Sequence, residues 1–301
     1  MRKIVLSLFI AFTSVIVCNA QLLYKITYKD LDKPSYIVGT YHLAPASFVD
    51  SISGARAALD AVDMVCGEVL MSEMESKANE KKVKNAMMLP DGKSLADVLT
   101  ADEMQRLNDY MSEVIGMNLE NPILRSQMGK MTPMAISTQL QLVQYMKSTP
   151  KFNPLKLIDG YFQKAAKKAG KKVAGLETVD FQINTLYLGT SIERQKEQLF
   201  CMVDNSEYYA LQMKELAAAY FAQDMQALWN LTEEKLGTLC DSTPEEEMAL
   251  IYGRNAAWVE KIPAMIKENS VLFVVGAAHL PGEQGVLELL RARGYTVEPV
   301  K

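Results

Sequence analysis

Two Gly-x-x-His motifs, each preceded by an apolar, β-branched run, place the strongest constraint on the fold of this 301-residue chain. One motif occupies residues 39–42 and the other residues 276–279. Such runs are typical of buried strands, and ligands of open α/β sheets bind beyond the carboxyl ends of strands. His42 and His279 are the only histidines in the chain. We therefore expect both rings to serve one site.

The first 20 residues have the pattern of a signal peptide. Arg2 and Lys3 precede an apolar stretch of about 14 residues, and Cys18-Asn19-Ala20 forms a small-x-small cleavage site. The stretch is shorter than the roughly 20 residues that a membrane span needs, and no later stretch is long and apolar enough. We expect an exported protein that is periplasmic, secreted or an outer-surface lipoprotein. A lipid anchor at Cys18 stays open, although Val17 is larger than the residue that usually precedes such a cysteine.

Charge and length argue for a single domain that binds no nucleic acid. Without the signal peptide, which carries two of the 32 basic residues, the chain has a net charge of about −6. This is an ordinary solvated surface without a basic footprint. No long Gly/Ser/Pro linker divides residues 21–301, so we expect one domain with a helical insertion at about 94–146 and 191–267. The oligomeric state stays open.

Three cysteines remain after the signal peptide. Cys66 lies in an apolar run that predicts a buried strand, which makes it the expected free thiol. Cys201 and Cys240 both fall in the helical region and can form a disulfide. Three buried thiols are the alternative, because sequence alone does not prove a pairing.

The pattern along the chain predicts an α/β (α+β) fold with a mixed central β-sheet, flanking helices and a large helical insertion. Alternation at residues 23–28 and 36–39 predicts a β-hairpin that delivers His42. Further strands are expected at 64–66 and 171–176. Helices are expected at 48–62, across most of 94–146, at 159–168 and across most of 191–236. Residues 271–299 predict a C-terminal βαβ unit.

Two helix starts carry a local signature. Thr100 with Glu103 has the spacing of a capping box, in which the two side chains satisfy free N–H groups of the first turn. The segment at 243–246 caps another helix, with Pro244 at the first helical position, where its missing N–H costs nothing. We therefore expect a helix to begin at each position.

Four predicted strands end next to a residue capable of chemistry: His42, Glu68, Glu177 and His279. Two neutral imidazoles and one or two carboxylates suit a divalent ion such as Zn, Mn, Co or Fe. Such a metal lowers the pKa of a bound water and so supplies a hydroxide near neutral pH, while a spare glutamate can move protons. The alternative for each histidine alone is a hydrogen-bonded structural residue.

Two further groups of residues are less specific. Arg254 and Trp258 are four residues apart on one helix face, next to Asn255. They fit either a surface arginine stacked on a tryptophan or a group that holds an anion. The basic cluster of Lys164, Lys167, Lys168, Lys171 and Lys172 fits a solvated face at a helix end. The chain has no Gly-rich phosphate loop, no Gly-x-Ser-x-Gly elbow and no His-Glu-x-x-His helix.

The ordered set of motifs at 39–43, 67–68, 175–178, 254–258 and 276–282 resembles the TraB/GumN family, which is related to the Tiki metalloproteases. The resemblance covers nearly all of the chain after the signal peptide. It implies a metal-dependent, peptidase-like site that maps onto His42, Glu68 and His279. Glu177 and the Arg254-Asn255 pair match further family positions whose roles are less settled. Protease activity in the animal relatives is an analogy for this chain.

These observations together predict an exported metallohydrolase that cleaves a peptide or another amide or ester bond. His42 and His279 are the expected ligands, Glu68 a ligand or general base, and Glu177, Arg254 and Asn255 further catalytic candidates. One alternative is a metal-free hydrolase of the erythromycin-esterase type with a histidine as general base. Another is a protein that sequesters a peptide, haem or a metal without turning it over.

Overall fold

A mixed sheet forms the centre of the molecule, for which a computed structural model describes residues 21–29 and 31–301. The predicted signal peptide and the candidate lipid anchor at Cys18 lie outside the described residues. Within those residues the sheet has six strands in the order β4-β3-β5-β2-β1-β6. The strands are β1 (Leu23–Thr27), β2 (Ser35–Thr40), β3 (Met64–Gly67), β4 (Lys172–Gly175), β5 (Val271–Gly276) and β6 (Thr296–Pro299).

Four neighbouring strands run parallel and end at the same edge of the sheet. β5 pairs in parallel with both β2 and β3, and β3 pairs in parallel with β4. Thr40 at the end of β2 lies opposite Gly276 at the end of β5. His42, Glu68, Glu177 and His279 therefore each follow a strand that ends at this edge, which is where an open α/β sheet binds ligands.

The central strand β5 is apolar on both faces, as expected for a parallel strand covered on both sides. Its residues Val271, Leu272 and Phe273 are fully buried, and helices pack around this core. The predicted hairpin is confirmed, because β1 pairs antiparallel with β2. The predicted α/β architecture is therefore correct.

The C-terminal β5–helix–β6 unit spans more of the sheet than a pair of adjacent strands. β6 pairs antiparallel with β1, so it runs in the same direction as β5 with β2 and β1 between them. The reason is that both edges of β5 are already occupied by β2 and β3.

Fourteen α-helices lie within the described part of the chain. They are α1 (Ala55–Ala61), α2 (Met71–Met74), α3 (Lys77–Ala86), α4 (Ala101–Ile115), α5 (Pro122–Met128), α6 (Pro133–Ser148), α7 (Ile158–Lys168), α8 (Val179–Ile183), α9 (Ile192–Asp204), α10 (Ser206–Phe221), α11 (Met225–Glu233), α12 (Pro244–Glu247), α13 (Gly253–Glu268) and α14 (Val286–Ala292). None of the helices in this part of the chain is long and apolar enough to cross a membrane.

The prediction of one helix at 48–62 is wrong. The structure has a 3-10 segment at Ala46–Ser51 and then α1, separated by Gly54 with φ +75°. A Cβ at Gly54 would lie 2.7 Å from Cγ1 of Val300. Periodicity did not reveal the break, because a left-handed glycine interrupts the helix without changing the apolar pattern.

The helical region at 94–146 is also divided, here into α4, α5 and α6. Thr100 and Glu103 form the predicted capping box at the start of α4, and Gly116 with φ +77° ends that helix. α4, α6 and α9 pack together around a second hydrophobic core that includes Leu107, Met111 and Ile136. This core is separate from the one around the sheet.

Of the three cysteines in the described chain, Cys201 and Cys240 form a disulfide and Cys66 is a buried free thiol. The bridge joins α9 to the segment that precedes α12. This is the first of the two arrangements that the sequence left open.

Candidate active site

His42 lies just beyond β2, and its ring is held by an aspartate from another part of the chain. Its Nδ1 donates to Oδ2 of Asp159 at 3.1 Å, and the hydroxyl of Thr40 donates to the other oxygen of that carboxylate. This hydrogen bond is the main reason why the pKa of His42 is raised to about 9. Asp159 is in the first turn of α7, where a carboxylate also suits the helix dipole. Nε2 of His42 has no hydrogen-bond partner within the described residues.

His279 ends a 3-10 turn that follows β5, and its side chain is buried among the helices. Nδ1 donates to Oδ1 of Asn255 at 2.7 Å, and Nε2 accepts from Nη1 of Arg254 at 3.1 Å. The ring packs against Trp258 with 4.4 Å between centroids. Burial lowers the pKa of His279 to about 4. The imidazole is therefore neutral at pH 7, as its donor and acceptor roles require.

Arg254 connects three of the predicted site residues. Its Nη2 donates to Oε2 of Glu68 at 2.6 Å, and its Nε donates to Oε1 of Glu177 at 2.8 Å. Nε1 of Trp258 donates to the same oxygen of Glu177 at 2.8 Å. Arg254 is only 6% exposed. The alternative of a surface arginine is therefore wrong, because the guanidinium is buried between two carboxylates and a histidine.

Glu68 receives hydrogen bonds from several directions. Its Oε1 accepts from the backbone N–H of Gly276 at 2.8 Å, and its Oε2 accepts from Gln182 at 3.2 Å as well as from Arg254. Burial raises the pKa of Glu68, but Arg254, His279 and His42 more than offset this effect and hold the pKa below its ordinary value. A Cβ added to Gly276 would lie 3.4 Å from both Oε1 of Glu68 and Cδ2 of His279. The carboxylate and the imidazole are thus close neighbours.

A π-helical turn at Met248–Tyr252 sets the direction in which α13 presents these residues. A π-turn inserts an extra residue per turn and so rotates the following helix face, and such turns are frequent at functional sites. Gly253 closes the turn, and a Cβ there would lie 2.7 Å from the carbonyl oxygen of Met248. Glycine at this position therefore allows Arg254 to point inward.

A cavity of about 810 Å³ opens at the strand ends. His42, Glu68, Asp159 and Gln182 are among its lining residues. Glu177, Arg254, Asn255 and His279 lie behind Glu68 and do not line the cavity. The six predicted site residues therefore form two adjacent groups: His42 on the cavity wall, and the buried network around Arg254, with Glu68 reaching from that network to the cavity.

The donor chemistry of the site fits a divalent metal, although the ligands are not assembled. Asp159 and Asn255 each fix Nδ1 of a histidine, which is the usual arrangement around metal-ligating imidazoles and leaves Nε2 as the donor. Glu68 supplies an ionised oxygen. Across residues 21–29 and 31–301, however, no three His, Cys, Asp or Glu side chains are grouped to hold an ion. Nη1 of Arg254 instead contacts Nε2 of His279.

Sequence reasoning missed three residues that shape the site: Thr40, Asp159 and Gln182. Thr40 was part of the first motif, yet nothing in the motif indicated a role for its hydroxyl. Asp159 and Gln182 occupy ordinary helical positions, so no local pattern distinguishes them. Only their contacts with His42 and Glu68 do so.

The fold and the site define an α/β protein with a histidine-, glutamate- and arginine-containing site at the edge of a mixed sheet. A model of the TraB/PrgY/gumN family matches residues 22–299, and the chain belongs to this family. The resemblance inferred from the sequence motifs is thereby confirmed.

The chain is similar to several proteins named as metalloproteases. Metalloprotease TIKI2 of Xenopus tropicalis is 24% identical over 306 residues, which cover 88% of this chain and 57% of that protein. Metalloprotease TIKI homolog of Amphimedon queenslandica is 21% identical, with coverage of 88% and 59%. Metalloprotease TIKI1 of Danio rerio is 22% identical, with coverage of 89% and 61%. The chain thus spans about three-fifths of the length of these relatives.

Proposed function

We propose that this protein is an exported, divalent-metal-dependent hydrolase that cleaves a peptide or another amide or ester bond. One observation carries the proposal: two histidines at the same sheet edge each have Nδ1 fixed by an oxygen acceptor, next to an ionised glutamate that lines a cavity. Membership in a family with named metalloproteases agrees with this chemistry. The disulfide and the signal-like N-terminus agree with export.

His42, His279 and Glu68 are the residues that would hold the metal. The ion, when bound, would polarise the scissile carbonyl and lower the pKa of a water molecule. Asp159 and Asn255 accept from Nδ1 of the two rings, so Nε2 is the atom that each ring would offer to a metal. His42 would first have to lose the proton on Nε2, because its pKa is raised to about 9. Glu68 is either a third ligand or the base that takes a proton at a carboxylate oxygen. Arg254 does not line the cavity, but it donates to Glu177 and Glu68 and helps to keep the Glu68 carboxylate ionised.

Metal content and turnover of the purified protein test this proposal. We expect about one divalent ion per chain, loss of peptide hydrolysis in chelator and recovery on adding back Mn, Co, Zn or Fe. His42→Ala and His279→Ala should abolish both metal binding and turnover. Asp159→Asn should weaken metal affinity about 10–100-fold, because it leaves the ligand in place but loses its orienting carboxylate. Asp180→Asn, an exposed carboxylate paired with Lys82, is the matched control and should change neither.

A metal-free hydrolase is the second candidate, and two contacts favour it. The His42–Asp159 pair has the geometry of a general base oriented by a carboxylate. Arg254 also contacts Nε2 of His279, where a metal would bind. Hydrolysis that needs His42 but is indifferent to chelator, with no stoichiometric metal, would replace the first proposal by this one. Ligand binding without turnover would indicate a sequestering protein.

A further inference from the structure

The basic cluster between residues 164 and 172 is not a uniform solvated face. Nζ of Lys171 donates to the backbone oxygens of Asp60 and Val62 at 2.7 and 2.6 Å, and Nζ of Lys172 donates to Asn269 at 2.9 Å. These two lysines therefore join β4 to the neighbouring segments.

The other three lysines lie on α7, and two of them line the cavity described above. Lys164 and Lys168 are four residues apart, so they lie on one face of the helix and both contribute to the cavity wall. Lys167 is exposed and does not contribute to it. Cations are favoured near the C-terminus of a helix because of the helix dipole, and this explains why lysines occur at this end of α7. It does not explain why two of them line the cavity.

The position of these lysines along α7 gives their distance from the reacting groups. α7 carries Asp159, the partner of His42, in its first turn and Lys168 at its end. With about 1.5 Å of rise per residue, Lys164 and Lys168 lie about 7.5 and 13.5 Å further along the helix axis. An extended peptide advances about 3.3 Å per residue. Along the helix, the backbone positions of the two lysines therefore lie roughly two and four peptide residues from that of Asp159.

The cavity between these two ends is lined mainly by apolar side chains. Met71 and Met74 of α2, Leu155 and Leu157 from the segment before and at the start of α7, and Tyr161 of α7 are among the lining residues. Gln163 connects α7 to the start of α2. Its amide oxygen accepts from the backbone N–H of Met71 at 3.1 Å, and its amide nitrogen donates to the backbone oxygen of Val69 at 2.8 Å. Methionine and an exposed leucine adapt to side chains of different shape. This part of the cavity suits a large apolar side chain.

Three lysines and three carboxylates line the cavity: Lys156, Lys164, Lys168, Glu68, Glu75 and Asp159. Lys164 and Lys168 lie on the C-terminal half of α7, where Glu75 pairs with Lys164 at 3.1 Å, whereas Asp159 lies in the first turn of the helix and Lys156 precedes it. The C-terminal half of α7 therefore presents one lysine more than it has acids to the cavity, and such a local excess of cations attracts an anion from solution and disfavours a cation.

We propose that this cavity selects peptides that place a large apolar side chain next to the scissile bond and a carboxylate about two to four residues away, bound by Lys164 and Lys168. The proposal names the substrate class of the hydrolase proposed above and so rests on that function. It makes Lys164 and Lys168 specificity residues that do not contact the reacting bond.

Binding of uncleavable peptides tests the substrate class without any turnover. The probes are hexapeptides with one leucine flanked by α-aminoisobutyric acid, which resists proteolysis. Two amidated versions carry two aspartates on the N- or C-terminal side, a third carries asparagines instead, and a fourth is the asparagine peptide with a free terminal carboxylate. Titration calorimetry at low salt should show one carboxylate-bearing peptide binding about fivefold more tightly than the neutral one. Tighter binding of an aspartate peptide would identify the recognised carboxylate as a side chain, and tighter binding of the asparagine peptide with a free terminus would identify it as the chain terminus.

Three variants separate recognition from general damage. Lys164→Gln/Lys168→Gln should remove the preference for the carboxylate, whereas Lys167→Gln, a lysine of the same helix that faces away from the cavity, should retain it. Glu75→Gln should increase the preference, because it frees Lys164 from its partner. Added salt should weaken binding of the acidic peptide only.

Equal binding of acidic and neutral peptides to the wild type overturns the proposal. So does a loss of preference in Lys167→Gln that matches the loss in the double variant, or binding of none of the peptides. These outcomes leave the hydrolase proposal intact, because metal content and chelator-sensitive turnover are measured separately.

Discussion

At the scale of single residues, Arg254 holds together side chains that are incompatible with burial on their own. Glu177 is almost completely buried and Glu68 nearly so. A buried carboxylate is costly unless it is paired and hydrogen-bonded. The guanidinium of Arg254 supplies the opposite charge and the hydrogen bonds, because its planar group donates to both carboxylates at once. It also lies over the ring of Trp258, 4.9 Å from its centroid.

Replacing Arg254 by methionine should strongly destabilise the protein. The substitution keeps most of the volume but leaves two buried carboxylates without their cation, which costs about 3–5 kcal/mol. Urea unfolding followed by circular dichroism measures the change. Lys82→Met, which removes an exposed ion pair with Asp180, should leave the free energy of unfolding almost unchanged. Equal losses in the two variants would contradict the structural role of the network.

Single residues also show which parts of the site could be predicted from the sequence and which could not. His42, Glu68, Glu177 and His279 could be named because each follows a strand, and Arg254 because of its helical spacing from Trp258 and the family resemblance. Asp159 could not, because its importance comes from one contact with a residue 117 positions away. No local pattern encodes such a contact.

At the scale of elements, the helix preceding the site residues is not a regular α-helix. The π-helical turn at Met248–Tyr252 leads directly into α13. Apolar periodicity assumes a constant 3.6 residues per turn, so it misassigns the face of every residue that follows a π-turn. This explains why the sequence left open whether Arg254 is exposed.

Gly253→Ala tests the importance of this turn. The added Cβ would approach the carbonyl oxygen of Met248 to 2.7 Å, so the π-turn must shift and carry Arg254 with it. We expect a loss of stability of about 1–3 kcal/mol in thermal or urea unfolding. Gly160→Ala is the control, because its Cβ would meet nothing closer than 3.7 Å within α7. It should be neutral or slightly stabilising, as alanine favours helices over glycine. An equally tolerated Gly253→Ala would show that the turn does not need glycine.

Thr243 and Glu246 form a capping box at the start of α12, and its contribution to stability should depend on pH. Glu246 accepts from the backbone of Thr243 at 2.9 Å and from Nε of Arg194 at 2.9 Å. The hydrogen bond with Arg194 is the main reason why the pKa of Glu246 is lowered from its ordinary value. Because the unfolded chain binds this proton more readily, the stabilisation is present above an unfolded pKa of about 4.3 and is lost as pH falls through the lower folded pKa.

Glu246→Gln should therefore cost about 1–2 kcal/mol at pH 7 and progressively less in acid. Urea unfolding of the wild type and the variant at pH 7 and below pH 4 measures the difference. The two curves should converge as the pH falls. A difference that stays constant with pH would show that the charge of Glu246 does not contribute.

At the scale of the whole molecule, the described residues form two main hydrophobic cores and one small cluster around Ala86, Val179 and Ile183. The larger of the two main cores surrounds the sheet, and the other lies among helices that include α4, α6 and α9. The Cys201–Cys240 disulfide ties α9, a member of the helical core, to the segment that enters α12 and then the site helix α13. It therefore restrains the chain between the two cores.

Reducing this disulfide should destabilise the protein by about 4 kcal/mol or less, since it closes a loop of 39 residues. Unfolding with and without reductant measures the effect, and Cys201→Ser/Cys240→Ser should be insensitive to reductant. Cys66 serves as an internal check, because burial raises the pKa of its thiol to about 12. A protein expressed as residues 21–301 should show no reactive thiol when native and one when denatured. Two additional thiols in the denatured, unreduced protein would contradict the bridge.

The sequence by itself determined the strands, the helix caps and the strand ends that carry the histidine and glutamate side chains of the site. These features depend on the alternation, charge and turn residues of short segments, and such information is local. The order of polar residues after successive strands was also enough to bring His42, Glu68, Glu177 and His279 to one edge, because parallel strands end together.

Only the tertiary structure decided how these residues are arranged. Arg254 reaches Glu68 across 186 residues of sequence, and a π-turn sets its direction. Likewise, packing alone separates Lys164 and Lys168, which line the cavity, from Lys171 and Lys172, which bind neighbouring segments. The physical reason is that these contacts depend on the relative placement of distant elements, which the burial of the whole chain fixes and no short segment encodes.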